Sequence, residues 1–200
     1  MKETNNEFDY ISSNYLNRID LSLLALNRVG NDELLAFGVF SEPLYELIYA
    51  ATITGIEEYL HHRLRTEVFS SKEATSKYVK NYNHLKRIKD VDKRLKEDDK
   101  DGIENSLFNK QVYHQLDIIC QYFINISGIN VAECPSWNLM KPIIQNRHTI
   151  IHHGARDKDD KRIELIPYDV TKAVELARNF INEVEAAFVK ADKQPLIIDP

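Results

Sequence analysis

Two long stretches of this sequence repeat their apolar residues every three or four positions, a spacing that only an α-helix turns into one face. The first runs from about 43 to 68, where Leu44, Leu47, Ile48, Ala51, Ile56, Leu60 and Leu64 form a stripe. The second runs from about 168 to 190 and carries Val170, Val174, Ala177, Ile181, Val184 and Phe188. A helix with one apolar face has to cover it, so these two segments demand partners. Ser41-Glu42-Pro43 places a capping residue and a first-turn proline where the first helix should begin. His61-His62-Arg63-Leu64-Arg65 near its end would suit the negative pole of the helix dipole.

The remaining segments supply further helices. Phe8, Ile11, Tyr15, Ile19 and Leu23 predict a helix over 8–28, ended by Gly30-Asn31-Asp32, with a short apolar helix over 32–40. The charged stretch 72–100 keeps an apolar edge of Tyr78, Tyr82, Leu85, Ile88 and Leu95, and reads as one or two exposed helices or an insertion. Leu107, Val112, Leu116, Ile119 and Phe123 predict a helix over 105–125, and Gly128 breaks the pattern. Ser136 can cap a helix over 137–153, whose core side would be Leu139, Met140, Ile143, Ile144 and Ile151, with Gly154 as its stop. The loop 154–166 is charged, with Ile163 and Leu165 in a short extended piece, and 193–200 should be irregular. Six glycines and six prolines in 200 residues disfavour a loop-rich all-β fold. The expectation is an all-α fold, an antiparallel helical bundle, with residues 1–200 forming a single domain.

Charge narrows the function. The net charge is −5, which argues against wholesale coating of DNA. Locally the balance inverts: residues 72–96 hold nine Lys or Arg against three acids. With Tyr78 and Tyr82 that stretch reads either as a solvated helix face or as a surface tracking an RNA backbone and stacking its bases. Cys120 and Cys134 are too few for a disulfide framework and are expected to be reduced thiols in a cytoplasmic protein. Met1 to Asp9 is polar and acidic, with no signal-peptide core, and no run approaches a membrane span. Leu196-Ile197-Ile198 either packs on the chain's own core or docks on a partner.

The chemistry-bearing motif is Asn146-Arg147-His148-Thr149-Ile150-Ile151-His152-His153-Gly154. Arginine grips phosphate with a fixed fork of donors, and histidine moves protons near neutral pH. At about 100° per residue, His148 and His152 share a face, and a long Arg147 side chain can bend toward them. Two other readings compete. Arg147 can pair with a core acid while the histidines cap the helix or meet solvent. His148 and His152 also have the i, i+4 spacing of metal ligands, with Asp157, Asp159 and Asp160 nearby, but Thr149 stands where a zincin helix carries its glutamate.

Arg147-His148-(x3)-His152 inside an all-α chain resembles the HEPN superfamily of helical ribonucleases and nucleotide-binding proteins. The family motif is an arginine, usually a polar residue next, and a histidine after four to six intervening residues; here four intervene. The helix Tyr49 to Leu60, with Glu57-Glu58 in its apolar stripe, is similar to an early helix of stand-alone HEPN proteins, which carries an acid near its middle. The resemblance covers about 40–190. HEPN toxins paired with a nucleotidyltransferase antitoxin often carry a tyrosine two residues past the motif histidine; here Gly154 stands there.

The resemblance implies an endoribonuclease, a toxin or phage-defence effector held in check by an antitoxin or other regulatory protein, with Arg147, His148 and His152 as catalytic residues. It also implies a homodimer in which two motifs face one RNA phosphate. RNA carries its own nucleophile, the 2′-OH, so the protein need only move protons and stabilise charge on phosphorus. No cofactor, metal or membrane is called for. The alternative is a catalytically silent HEPN domain that binds RNA or dimerises. His153, beside His152, competes for the role of acting imidazole.

Overall fold

The computed structural model describes residues 15, 17, 20, 21, 24, 28, 41–88, 90, 94–109, 113–152, 155, 156 and 159–192. Of residues 41, 42, 148, 152 and 192 it describes the backbone only. The described residues are mostly helical and contain no strand, so the fold is all-α. The elements are α1 (Ser41–Phe69), α2 (Lys72–Leu85), α3 (Lys100–Asn109), α4 (Leu116–Ser127), a 3-10 turn (Val131–Glu133), α5 (Trp137–His152) and α6 (Pro167–Asp192). The described residues between 15 and 28 are helical too. The expectations for 32–40, Val112, Gly154 and 193–200 lie outside the described residues. Among those described, no helix is long and apolar enough to cross a membrane.

The chain divides into two compact units: Met1–Tyr59 with Cys134–Ala186, and Leu60–Glu133 with Ala187–Pro200. In the first, α6 buries Val170, Val174, Ala177, Ile181 and Val184 as its period requires, and adds Ala173 and Phe180. Trp137 at the start of α5 stacks on Phe180 midway along α6, ring centroids 5.5 Å apart. α1 and α6, which are not consecutive, run in the same sense. Glu46, early in α1, meets Arg162, just before α6 begins, at 3.7 Å. Tyr59 then donates to Glu185 Oε1 at 2.6 Å further along both helices.

The stripe expected on α1 is only half right. Ile48, Ile56, Leu60 and Leu64 are buried, but Leu47 is 64% exposed and Ala51 faces solvent. The inward positions are taken instead by Tyr45, Tyr49, Thr52, Ile53 and Tyr59. Tyrosine buries its ring and sends its hydroxyl to a partner, which residue-type patterning undercounts. On α5, Trp137, Met140, Ile144 and Ile150 are buried, whereas Leu139 and Ile151 are about half exposed. Pro142 sits inside α5, between the buried Met140 and Ile144, and removes one donor from its ladder. Ser136 does precede α5, but its hydroxyl donates to Glu183 Oε2 rather than capping the helix.

In the second unit α2 packs on α4. Ser71 caps α2 by accepting from the Ala74 N–H at 3.1 Å. Tyr78 and Tyr82 are buried, Tyr78 sharing a hydrogen bond with Ser106 at 2.9 Å. The charged stretch is therefore a packed helix with a solvated face, and these tyrosines are not available to stack bases. The single helix expected over 105–125 is two, α3 and α4, parted by a turn at Tyr113 and His114. Gly128 ends α4 at φ 72°, with its N–H on the Ile124 carbonyl, as the glycine signal indicated. Cys120 and Cys134 are buried thiols, not joined in a disulfide.

α1 runs to Phe69, close to the expected end near 68, with the basic run His61–Arg65 one turn before it. Arg63 is buried, its guanidinium 3.6 Å from the Phe188 ring centroid and 2.8 Å from Glu67 Oε1. Glu67 also accepts from the Ser127 hydroxyl at 2.5 Å. Removing one member of a buried pair strands the other's charge. Arg63→Met should therefore cost about 3–5 kcal/mol of unfolding free energy in urea titration. Arg63→Met/Glu67→Gln, which keeps an acceptor for Ser127 without the charge, should recover most of that loss.

Candidate functional site

α5 carries the motif toward its C-terminal end. Ile144 and Ile150, three residues on either side of Arg147, are buried and turn that flank of the helix inward. The helical conformation reaches His152. The Ala155 N–H donates to the Ile150 carbonyl at 3.2 Å, the six-to-one bond of a Schellman-type helix end. Ala155 itself is at φ 57°. Just beyond, Arg156 and Arg162 form an isolated antiparallel bridge and Leu165 is buried, which gives the loop the short extended piece expected there.

Tyr49 ties α5 to α1. Its hydroxyl donates to the Ile143 carbonyl at 3.0 Å, and Asn146 also bonds it. Burial pushes the phenol well above its usual range, so it stays a neutral donor. Further along α1, Thr54 and Glu57 lie within a turn of each other and face Arg147.

Arg147 Nη2 lies 3.5 Å from Thr54 Oγ1 and 3.7 Å from Glu57 Oε2. Both side chains of the ion pair are 18% exposed. Arg147 Nε is buried without a hydrogen-bond partner. These contacts are long: a charged N–H···O bond closes to about 2.7–2.9 Å. Arg65 and Glu104 show what a closed pair looks like in this molecule, with Nε at 3.0 and 2.9 Å from the two carboxylate oxygens and Nη2 at 2.5 Å. Arg65 holds the Glu104 carboxyl below the usual range. Glu57 moves the other way. Its burial raises the carboxyl more than Arg147 lowers it, and Glu58 raises it further. The carboxyl beside Arg147 is thus raised although a guanidinium stands 3.7 Å away.

His148 lies on α5 next to Arg147, and His152 is the last residue of α5; the side chains of both lie outside the described residues, as does all of His153. Among the described residues no group of three or more His, Cys, Asp or Glu is placed to hold a metal ion. Tyr49 and Thr54 carried no sequence signal. Glu57 did, as an acid set within an apolar stripe, and the structure selects it over Glu58 as the residue facing Arg147. Comparison with protein-family models, curated proteins and solved structures finds no match for this chain.

The raised Glu57 carboxyl has a consequence for stability. A raised acid favours the fold only while protonated. That contribution is complete below the unfolded value, about 4.3, and is lost as pH climbs through the folded value. At pH 7 the native chain carries the penalty. Glu57→Gln should therefore melt at the same or a higher temperature than the native chain at pH 7, with the gap closing toward pH 4. A clear drop in melting temperature at pH 7 would instead identify Arg147–Glu57 as a stabilising structural pair.

Proposed function

We propose that this chain is a metal-independent endoribonuclease of the HEPN type, acting as a homodimer and restrained by a partner as a toxin or phage-defence effector. The observation that carries the reading is Arg147. It sits five residues before His152 on one helix, faces the mid-helix acid Glu57 of another, and leaves its guanidinium incompletely used. Half-exposed Arg65, by contrast, closes its bonds on Glu104.

In this reading Arg147 stabilises the charge that develops on phosphorus. His152 takes the proton from the 2′-OH or returns one to the leaving 5′-oxygen, His148 orients its neighbours, and Glu57 positions the guanidinium. The products are a 2′,3′-cyclic phosphate and a 5′-hydroxyl. One copy offers few groups for a full acid–base pair, so a twofold dimer supplies the second set. The second reading, a silent RNA-binding or dimerisation module, draws on the same contact: Arg147 does have an acidic neighbour, as an arginine retired to a structural role would.

Incubation with total cellular RNA in EDTA separates the two. The native protein should cut it. Arg147→Ala should lower the rate by about 10²–10³ and His152→Ala by about 10²–10⁴, with the helical circular dichroism signal intact. An Arg147→Ala/His152→Ala variant that cuts at the native rate would overturn the assignment. Loss of activity in EDTA with recovery on adding Mg²⁺ or Zn²⁺ would favour a metal site. Light scattering should report a dimer rather than a 23.3 kDa monomer at micromolar concentration.

A further inference from the structure

The second unit carries a feature that the cleavage motif does not use. On α2 the buried residues Ala74, Tyr78 and Tyr82 occupy one side, and Lys77, Lys80 and His84 all face solvent on the opposite side. At about 100° per residue those three fall within an arc of roughly 60°. A second strip of chain is folded back along them. The Asn83 side chain makes a two-point clamp on Leu95, donating to its carbonyl at 2.9 Å and accepting from its N–H at 3.0 Å. Further back along α2, Ser76 donates to Glu97 Oε1 at 2.7 Å. These ties lay residues 95–97 along α2 and bring exposed Arg94 and Lys96 beside its basic face. The acids nearby are Glu73, paired with Lys77 at 2.8 Å, Glu97, which accepts from Ser76 and keeps its charge, and exposed Asp98 and Asp99 in the turn that follows the strip; against them residues 72–96 hold nine Lys or Arg. A chain of net charge −5 has thus gathered a cationic surface from two separate segments.

We infer that this clamped surface of Lys80, His84, Arg94 and Lys96 docks the phosphate backbone of single-stranded RNA. The fit is one of charge: closely spaced cations on a helix and an adjoining strip release counterions from a polyanion. Because Tyr78 and Tyr82 point into the core, the surface offers no stacking platform on α2 and recognises backbone rather than base sequence. The choice of RNA as the polyanion rests on the endoribonuclease reading; the phosphate contacts do not depend on the cleavage motif.

The test is fluorescence anisotropy with a labelled 2′-O-methyl RNA oligonucleotide, which cannot be cut by 2′-OH attack and so reports docking alone. Lys80→Gln/Arg94→Gln/Lys96→Gln should bind about tenfold more weakly, with a salt slope shallower by about 2. Lys161→Gln/Lys172→Gln/Lys190→Gln, with the same change in net charge, should bind like the native protein. Asn83→Ala removes no charge but releases the strip, and should lose part of the affinity; should it not fold, the lysine and arginine variants decide. The inference is overturned if the first triple variant keeps the native affinity and salt slope, or if the control triple loses as much. It is equally overturned if the surface binds phosphatidylserine vesicles and not RNA. Cleavage of ordinary RNA is read separately, so inactive protein that still docks the oligonucleotide would sink the nuclease reading and leave the surface standing.

Discussion

The buried face of α6 is the constraint on which the rest of the first unit depends. Val170, Val174, Ala177, Phe180, Ile181 and Val184 are all at or near zero exposure. Burying a side chain of that size is worth roughly 1.5–3 kcal/mol, so leaving the stripe uncovered would exceed the net stability of a typical domain. The cover comes from elements whose polar groups register on the same helix. Trp137 lies against Phe180, Ser136 donates to Glu183, and Tyr59 donates to Glu185. Those polar contacts fix the azimuth and sense of α5 and α1, which apolar burial alone would leave free to slide.

That azimuth determines what Arg147 can do. With Ile144 and Ile150 packed inward, the intervening residue is carried to the flank where Thr54 and Glu57 stand. The resulting contact is poor as a stabilising device. Its distances are long, Nε is left without a partner, and the acid is raised rather than lowered. Elsewhere in the same chain buried Arg63 packs on Phe188 and bonds Glu67 at 2.8 Å, and half-exposed Arg65 is chelated by Glu104.

The second unit solves a different problem. It must bury a helix drawn from the most charged part of the sequence. α2 does so by committing Ala74, Tyr78, Val79 and Tyr82 to the core, which leaves its lysines no choice but solvent. Asn83 and Ser76 then use side-chain hydrogen bonds to hold the following segment alongside, in place of the apolar contacts it lacks. Charge is segregated as a by-product of packing, and the segregation persists in a protein that is acidic overall.

What the sequence determined by itself was local. The stripe of α6, the glycine at the end of α4 and the helical character of the chain follow from spacing within a few residues, because helix geometry converts spacing directly into a face. The arginine–histidine motif was legible for the same reason. Patterning failed where a residue's fate is set by a distant partner. Tyr45, Tyr49 and Tyr59 go inward because their rings can be covered and, for Tyr49 and Tyr59, a hydroxyl acceptor is supplied. Leu47 stays out because nothing covers it. Arg63, read as a helix-end cation, is buried because Phe188 and Glu67 receive it. Thr54 meets Arg147 across 93 residues of sequence, and Asn83 draws Leu95 back onto α2. No period encodes such meetings. They exist only once the helices have packed, because the free energy that selects them belongs to the contact and not to either segment alone.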